Sequence, residues 1–314
     1  MKKSSSVPLS VRVRVPATSA NLGPGFDALG LAVGLYDEIR VRFGSPDQRS
    51  PLRVTAEGMG GSDIPTDATN LAYRAMGRLF QAAGKSMPSV EIHLTVRLPV
   101  AGGLGSSSAA IVGGLIAANT AMKGFFSMDD LIEMATALEG HPDNVLPALV
   151  GGLCAGIVTP NGVKYVAWKD AYLTRDLRAV VCTPNLKVPT ERARRVLPAR
   201  VDRKDAVYNA AHVALFLSAL KEKRYDLLGE AMGDRLHQPY RAALVPGLMD
   251  VIAGARAGGA YGAALSGAGP TVLALTSKEK ASNVARAMER VFREKGSPSL
   301  SRVLSLELQG ARLF

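Results

Sequence analysis

Cysteine is scarce in this chain: Cys154 and Cys182 are the only two in 314 residues. Two thiols in apolar, strand-like runs make no disulfide framework, so a reducing cytoplasm is the expected setting. Long hydrophobic runs are also missing, and none approaches the ~20 apolar residues that a membrane span requires. The opening MKKSSSVPLSVRVRV carries two lysines but no apolar stretch behind them. It therefore reads as a short disordered tail rather than a signal peptide. Aromatic residues make up only 5%. The densest basic segment, from RDLRAV through ERARRVLPARVDRK (175–204), contains none that would stack on bases. Nucleic acid is thus not an expected partner, although the net charge is +11. That positive balance favours small anionic ligands instead.

What the chain does have is enough apolar material, 47%, for a large core or two domains. VRVRV (11–15) alternates strictly and reads as a strand leading into the turn-rich PATSANLGPGFDALGLAVG. LYDEIRVRF and PLRVTAEG read as further strands, with GSPDQRS as a polar turn between them. NLAYRAMGRLFQAAG is helical, with Leu71, Ala75, Leu79 and Ala82 on one face. A strand at 90–98 precedes a glycine- and serine-rich loop and an apolar helix. SMDDLIEMATALEG begins with Ser127 and Asp130 spaced as a capping box. CAGIVT and VKYVAW form a hairpin about 160–162. From about Lys169 the pattern changes. A strand (LRAVVCT), a helix (PTERARRVL) and a long helical stretch over 204–233 are followed by a helix (LMDVIAGARA), two strands (GAYGAALSGAG, TVLALT), a strongly amphipathic helix (KEKASNVARAMERVFREK) and a last strand (RVLSLELQ). The layout is α+β, with domains expected at 1–168 and 169–314.

The loop in LPVAGGLGSSSAAIVGGLI (98–116) carries the chemistry. Strand, glycine-rich loop and serine-rich helix start form an arrangement that binds phosphate through bare N–H groups and the positive end of the helix. Glycine would be needed where a Cβ blocks close approach. The loop is not a Walker A motif, because no lysine lies between Lys85 and Lys123, and it is not a G-x-G-x-x-G fingerprint. On this stretch alone, a tightly packed strand–helix turn remains the alternative.

Three small-residue segments occur in order: PATSANLGPGFDALG, PVAGGLGSSSAA and GAALSGAGPTV. Together they resemble the GHMP kinase superfamily, the middle one its P-x-x-x-G-L-G-S-S-x-A phosphate loop. ATSANLGPGFD, GHPDN (140–144), PTERARRVLP (189–198) and PYRAALVPG (239–247) are similar to the homoserine kinase family in particular. The resemblance covers nearly the whole chain.

It implies an ATP-dependent phosphorylation of L-homoserine in threonine biosynthesis, with Mg2+, in a two-domain fold. The N-terminal domain would be ribosomal protein S5 domain 2-like and the C-terminal one ferredoxin-like. The loop residues Pro99, Gly102, Gly103, Leu104, Gly105, Ser106, Ser107, Ser108 and Ala109 would bind the nucleotide phosphates. Asn70 matches a position near the adenine, with a helix cap as the alternative. Glu139 and Ser107 would hold the metal, whose preference is for hard oxygen ligands. Arg194 and Arg241 match carboxylate-binding positions, where the planar guanidinium fork suits both oxygens. Asn21 and Asp27 match amino-acid contacts, Asp27 toward the ammonium, and His141 and Thr190 match further contacts. Arg192 and Arg195 are expected at the surface. No lysine stands ready to activate a base, so Asp143 or Asn144 would orient the hydroxyl. Ser266 and Gly267 would lie near substrate or phosphates, or else form a structural turn. The resemblance also suggests a homodimer. The alternatives are another small alcohol as substrate, such as mevalonate or shikimate, or a silent binding protein of the same fold.

Overall fold

A computed structural model describes residues 9–44 and 51–314. The expected N-terminal tail, and all of the GSPDQRS turn but its first residue, lie outside the described residues. The chain opens with strands β1 (Leu9–Ala20), β2 (Leu29–Phe43) and β3 (Leu52–Gly58). Helix α1 (Leu71–Ala82) and strand β4 (Val90–Val96) follow. Three helices come next: α2 (Ser106–Ala121), α3 (Met128–Glu139) and α4 (Pro142–Val150). The hairpin of β5 (Leu153–Thr159) and β6 (Gly162–Trp168) completes this half.

These strands form one sheet in the order β11-β1-β2-β4-β3, where β11 is Arg312–Leu313, and β5 branches from β2 to carry β6. All pairs are antiparallel except β3 with β4. One sheet face is apolar: Val11, Val13 and Val15 point with Ile39 and Val41 into the core, while Arg12, Arg14, Arg40 and Arg42 line the other face. Helix α2 is apolar all round because it is enclosed. A Cβ at Gly113 would lie 2.1 Å from the Ile39 side chain of the sheet, and one at Gly114 2.4 Å from the Ala72 carbonyl of α1. Only glycine lets a helix run that close to both neighbours. The apolar stripe of α1 runs through Ala72, Ala75, Met76, Leu79 and Phe80. The expected face is therefore rotated: Ala82 is exposed, and Leu71 borders a cavity.

The second half builds a smaller sheet from β7 (Arg178–Pro184), β8 (Gly262–Leu265), β9 (Val272–Thr276) and β10 (Ser299–Leu304), in the order β10-β7-β9-β8. Numbered along the chain this is 4-1-3-2, all antiparallel, the order of a ferredoxin-like fold. Its helices are α5 (Ala171–Asp176), α6 (Thr190–Arg195), α7 (Arg203–Lys221), α8 (Leu228–Ala231), α9 (Gln238–Arg241), α10 (Leu248–Ala257) and α11 (Ala281–Glu294). Val284, Met288 and Phe292 of α11 are fully buried against the sheet, at spacings of four residues. The helical stretch expected over 204–233 breaks at Lys223, which adopts a left-handed φ of 56°. β1 is longer than VRVRV because a register shift between Pro16 and Ala17 interrupts the alternation. After β10 the chain returns to the first sheet. Glu307 N–H donates to the Ala32 carbonyl, Gly152 N–H to the Glu307 carbonyl and Ala311 N–H to the Ala148 carbonyl, and β11 pairs with β1.

Candidate active site

The loop between β4 and α2 is held from behind. As β4 ends, Asp37 Oδ1 accepts the N–H groups of Arg97 (2.6 Å) and Leu98 (3.0 Å). Burial pushes this carboxyl up to about 6, against the lowering effect of those N–H groups and of the Arg97 charge. Beyond it, four successive carbonyls are tied to surrounding protein. Ala101 O accepts from Val188 N–H (3.3 Å), Gly102 O from Thr271 N–H (3.2 Å), and Leu104 O from Thr18 N–H (3.2 Å). Gly103 O accepts from the Ser266 hydroxyl (2.5 Å), whose oxygen in turn accepts the Ser19 hydroxyl (2.8 Å).

With the carbonyls engaged, the N–H groups of Gly103, Gly105, Ser106, Ser107 and Ser108 meet no acceptor among the described residues. Gly105, the N-cap of α2, supplies no side chain for them either. A half-buried helix start left uncapped beside a cavity is an anion site in waiting. The glycines have a further reason. Gly103 and Gly105 have φ of 83° and 73°, and a Cβ would lie 2.5 Å from Ser266 O and 2.1 Å from Thr18 Oγ1, respectively. The close approach that demands glycine here is to the protein's own backbone and side chains.

Across the cavity, α3 ends at Glu139. Its Oε1 accepts the hydroxyls of Ser107 (2.8 Å) and Ser108 (2.9 Å). His141 caps α4 from outside, and its Nδ1 contacts Asp143 Oδ1 at very short range. Burial would lower the imidazole, but the Asp143 bond and charge outweigh it and hold it above the ordinary histidine value. Asn144 Oδ1 accepts from the Thr18 hydroxyl (2.8 Å).

The arginines sit at the far end. Arg194 forms a two-pronged pair with Asp27, at 3.0 and 2.8 Å, which raises its already high pKa. Arg241 is 2% exposed. It donates to the carbonyls of Ala193 (3.1 Å) and Gly267 (3.0 Å), and it has no carboxylate partner among the described residues. Burial and the neighbouring Arg194 charge pull it down to about 10. Both guanidiniums lie over the Phe26 ring, which stacks on buried His237. Asn21, with a left-handed φ of 70°, fixes the turn by accepting Asp27 N–H (3.0 Å) and donating to Gly267 O (3.1 Å). Asp27, His141 and Asp143 offer ligand atoms within 4.8 Å of one another. Two guanidiniums beside them argue against a metal ion at this spot.

One cavity of about 290 Å³ joins Asn21, Asp27, Asn70, Gly102, Gly103, Gly105, Ser106, Ser107, Glu139, His141, Asp143, Asn144, Thr190, Arg194, Arg241 and Gly267. The remaining sequence candidates lie off it. Pro99 and Leu104 border a second cleft, Ser108 is buried beneath Glu139, and Ala109 sits in the core with its N–H on Gly105 O. Asn70 is a helix cap: its Oδ1 accepts from Ala72 and Tyr73 N–H, and its Nδ2 donates to Pro65 O, leaving one free N–H. Arg192 and Arg195 are exposed, Arg195 pairing with Glu191. Sequence reasoning missed Thr18, Phe26 and Asp37. The first two stand inside the quoted first motif; Asp37, beside Glu38 in a strand that also carries arginines, gave no signal of its own.

Comparison with known proteins adds the following. The model of the GHMP kinases N terminal domain matches residues 70–152, and that of the GHMP kinases C terminal domain residues 216–294. The chain is 43% identical over 304 residues to the homoserine kinase of Desulfitobacterium hafniense, covering 97% of this chain and all of that one. It is 42% identical over 308 residues to that of Trichormus variabilis, covering 98% and 99%. The crystal structure of homoserine kinase from Cytophaga hutchinsonii superposes with a TM-score of 0.87 at 31% identity, over the full length of both chains.

Proposed function

The chain belongs to the homoserine kinase family of the GHMP kinases, and we propose that the cavity just described is where it works. The enzyme transfers the γ-phosphoryl group of ATP to the side-chain hydroxyl of L-homoserine, giving O-phospho-L-homoserine in threonine biosynthesis. The free N–H groups from Gly103 to Ser108 would receive the nucleotide phosphates, helped by the positive end of α2. Glu139 and Ser107 offer carboxylate and hydroxyl oxygens on one spot, a hard donor set that fits Mg2+. When bound, that ion neutralises charge on the phosphates.

One observation carries the substrate end: Arg241, almost fully buried and lacking a carboxylate partner, faces the cavity beside Arg194. A buried guanidinium without a counter-ion is costly, and a ligand carboxylate supplies what is missing. Asp27 then suits the ammonium. Asp143 keeps Oδ2 clear of His141, and Asn144 keeps its Nδ2 clear of Thr18, so either can orient the hydroxyl toward the phosphate. Coupled ADP release with MgATP and L-homoserine, beside mevalonate and shikimate, tests the substrate. Arg241→Met should raise KM for homoserine by about a hundredfold and leave KM for ATP near its original value. An unchanged homoserine KM would remove Arg241 from the site.

No helix among the described residues is long and apolar enough to cross a membrane. A cytoplasmic location rests on that class of enzyme and on two free, buried thiols. The resemblance suggests a homodimer, which sedimentation velocity can test.

A further inference from the structure

Asp27 and Arg194 are read above as separate grips, one for an ammonium and one for a carboxylate. In the structure they grip each other. Both Asp27 oxygens and both terminal nitrogens of Arg194 are engaged, at 3.0 and 2.8 Å, and each side chain is about a third exposed. The arrangement is built rather than incidental. Asp27 has a left-handed φ of 56° and its N–H is held by Asn21. Arg194 is braced over Phe26. Glu139 and Asp143 also face Arg194, and Arg241 faces Asp27.

A carboxylate reaching Arg194 must therefore displace Asp27, and an ammonium reaching Asp27 must displace Arg194. A ligand with only one of these charges breaks the pair and leaves the other member without its partner, in a pocket partly shielded from water. A ligand with both charges replaces each lost bond with an equivalent one.

We propose that the Asp27–Arg194 ion pair is a latch that a zwitterionic amino acid opens by exchange of partners, so that the cleft rejects hydroxy acids and amino alcohols of otherwise matching shape. This rests on reading the cavity as the homoserine site. The latch makes selectivity depend on the coupling between two residues and not only on the contacts each makes with substrate.

The test uses 4-hydroxybutanoate, which keeps the carboxylate and hydroxyl of homoserine but lacks the ammonium. In Asp27→Asn, Arg194 is already free, so kcat/KM for 4-hydroxybutanoate should rise about tenfold over the unaltered protein while that for homoserine falls. The gain should disappear when Arg194→Gln is added, which separates release of the latch from the mere loss of a negative charge. Asparagine tolerates the left-handed φ at this position, so the variant should fold. If it is nevertheless insoluble, the unaltered protein answers the same question. 3-Amino-1-propanol and propionate, each satisfying one side, should inhibit synergistically. Unchanged or reduced turnover of 4-hydroxybutanoate by Asp27→Asn, a gain that persists with Arg194→Gln, or purely additive inhibition would each overturn the latch. Absence of ADP release from homoserine by the unaltered protein would instead overturn the substrate reading beneath it.

Discussion

Asp37→Asn should make this protein more stable at neutral and alkaline pH, and the gain should vanish in acid. The carboxyl is 6% exposed, and burial lifts it from the ordinary 3.8 to about 6. At 1.36 kcal/mol per pH unit, that displacement corresponds to about 3 kcal/mol. Because the folded value lies above the unfolded one, the group's favourable contribution is full below 3.8 and is lost as pH rises through about 6. That loss is the whole of the cost: above about pH 6 the buried carboxylate is ionised, and the fold is weaker by about 3 kcal/mol than with the group uncharged. An amide removes the charge and keeps an oxygen that can accept the N–H groups of Arg97 and Leu98, so the loop entry stays anchored. For a chain of this length, about 3 kcal/mol is roughly 5 °C in Tm. Thermal unfolding of both proteins from pH 4 to pH 8 should show curves that coincide near pH 4, diverge up to about pH 6 and stay apart by a constant amount above it. A variant that is equally or less stable at pH 8 would refute the assignment of burial as the dominant influence on Asp37.

Two other substitutions probe the nucleotide end. Gly103→Ala places a methyl group 2.5 Å from the Ser266 carbonyl at a φ of 83°, so the loop must shift. KM for ATP should rise by at least about tenfold while KM for homoserine changes little, and steady-state kinetics with each substrate varied in turn would show an equal rise in both if the loop does not serve the phosphates. Asn70→Ala removes the cap of α1 and should lower stability by about 1 kcal/mol, measured by denaturant unfolding. Its effect on KM for ATP should stay below about threefold; a large rise at unchanged stability would make Asn70 a base contact instead.

Much of the site was legible because its chemistry is local. Three glycines and three serines after a strand announce a loop that needs unusual φ and offers bare N–H groups, and the loop is built that way. Ser127 and Asp130 announce a capping box, and both halves of it form. The ferredoxin-like second half followed from the resemblance, and its strand order agrees. What stayed hidden depends on contacts far apart in sequence. No local pattern says that Ser266 and Thr271 will hold carbonyls of the loop more than 160 residues earlier, that Thr18 will meet Asn144, or that Asp27 will pair with Arg194. Residues whose neighbours arrive only on folding, such as Asp37, cannot be told from ordinary surface charges. The break at Lys223 escaped notice because apolar periodicity continues across it, while the left-handed turn that ends α7 carries no glycine to mark it.

The closing strap over 305–314 has a bearing on how the molecule is made. Gly310 lies so close to the end of α4 that a Cβ would fall 1.9 Å from the Leu149 carbonyl, and Ala311 and β11 fasten alongside. A ribosome emits the first half of the chain long before that strap exists. For many seconds, at about 5–20 residues per second, the nascent first sheet must wait with one edge unsealed. The two halves therefore mature together, and a first half released early by truncation should need a chaperone, or the missing strap supplied as a peptide, to stay in solution.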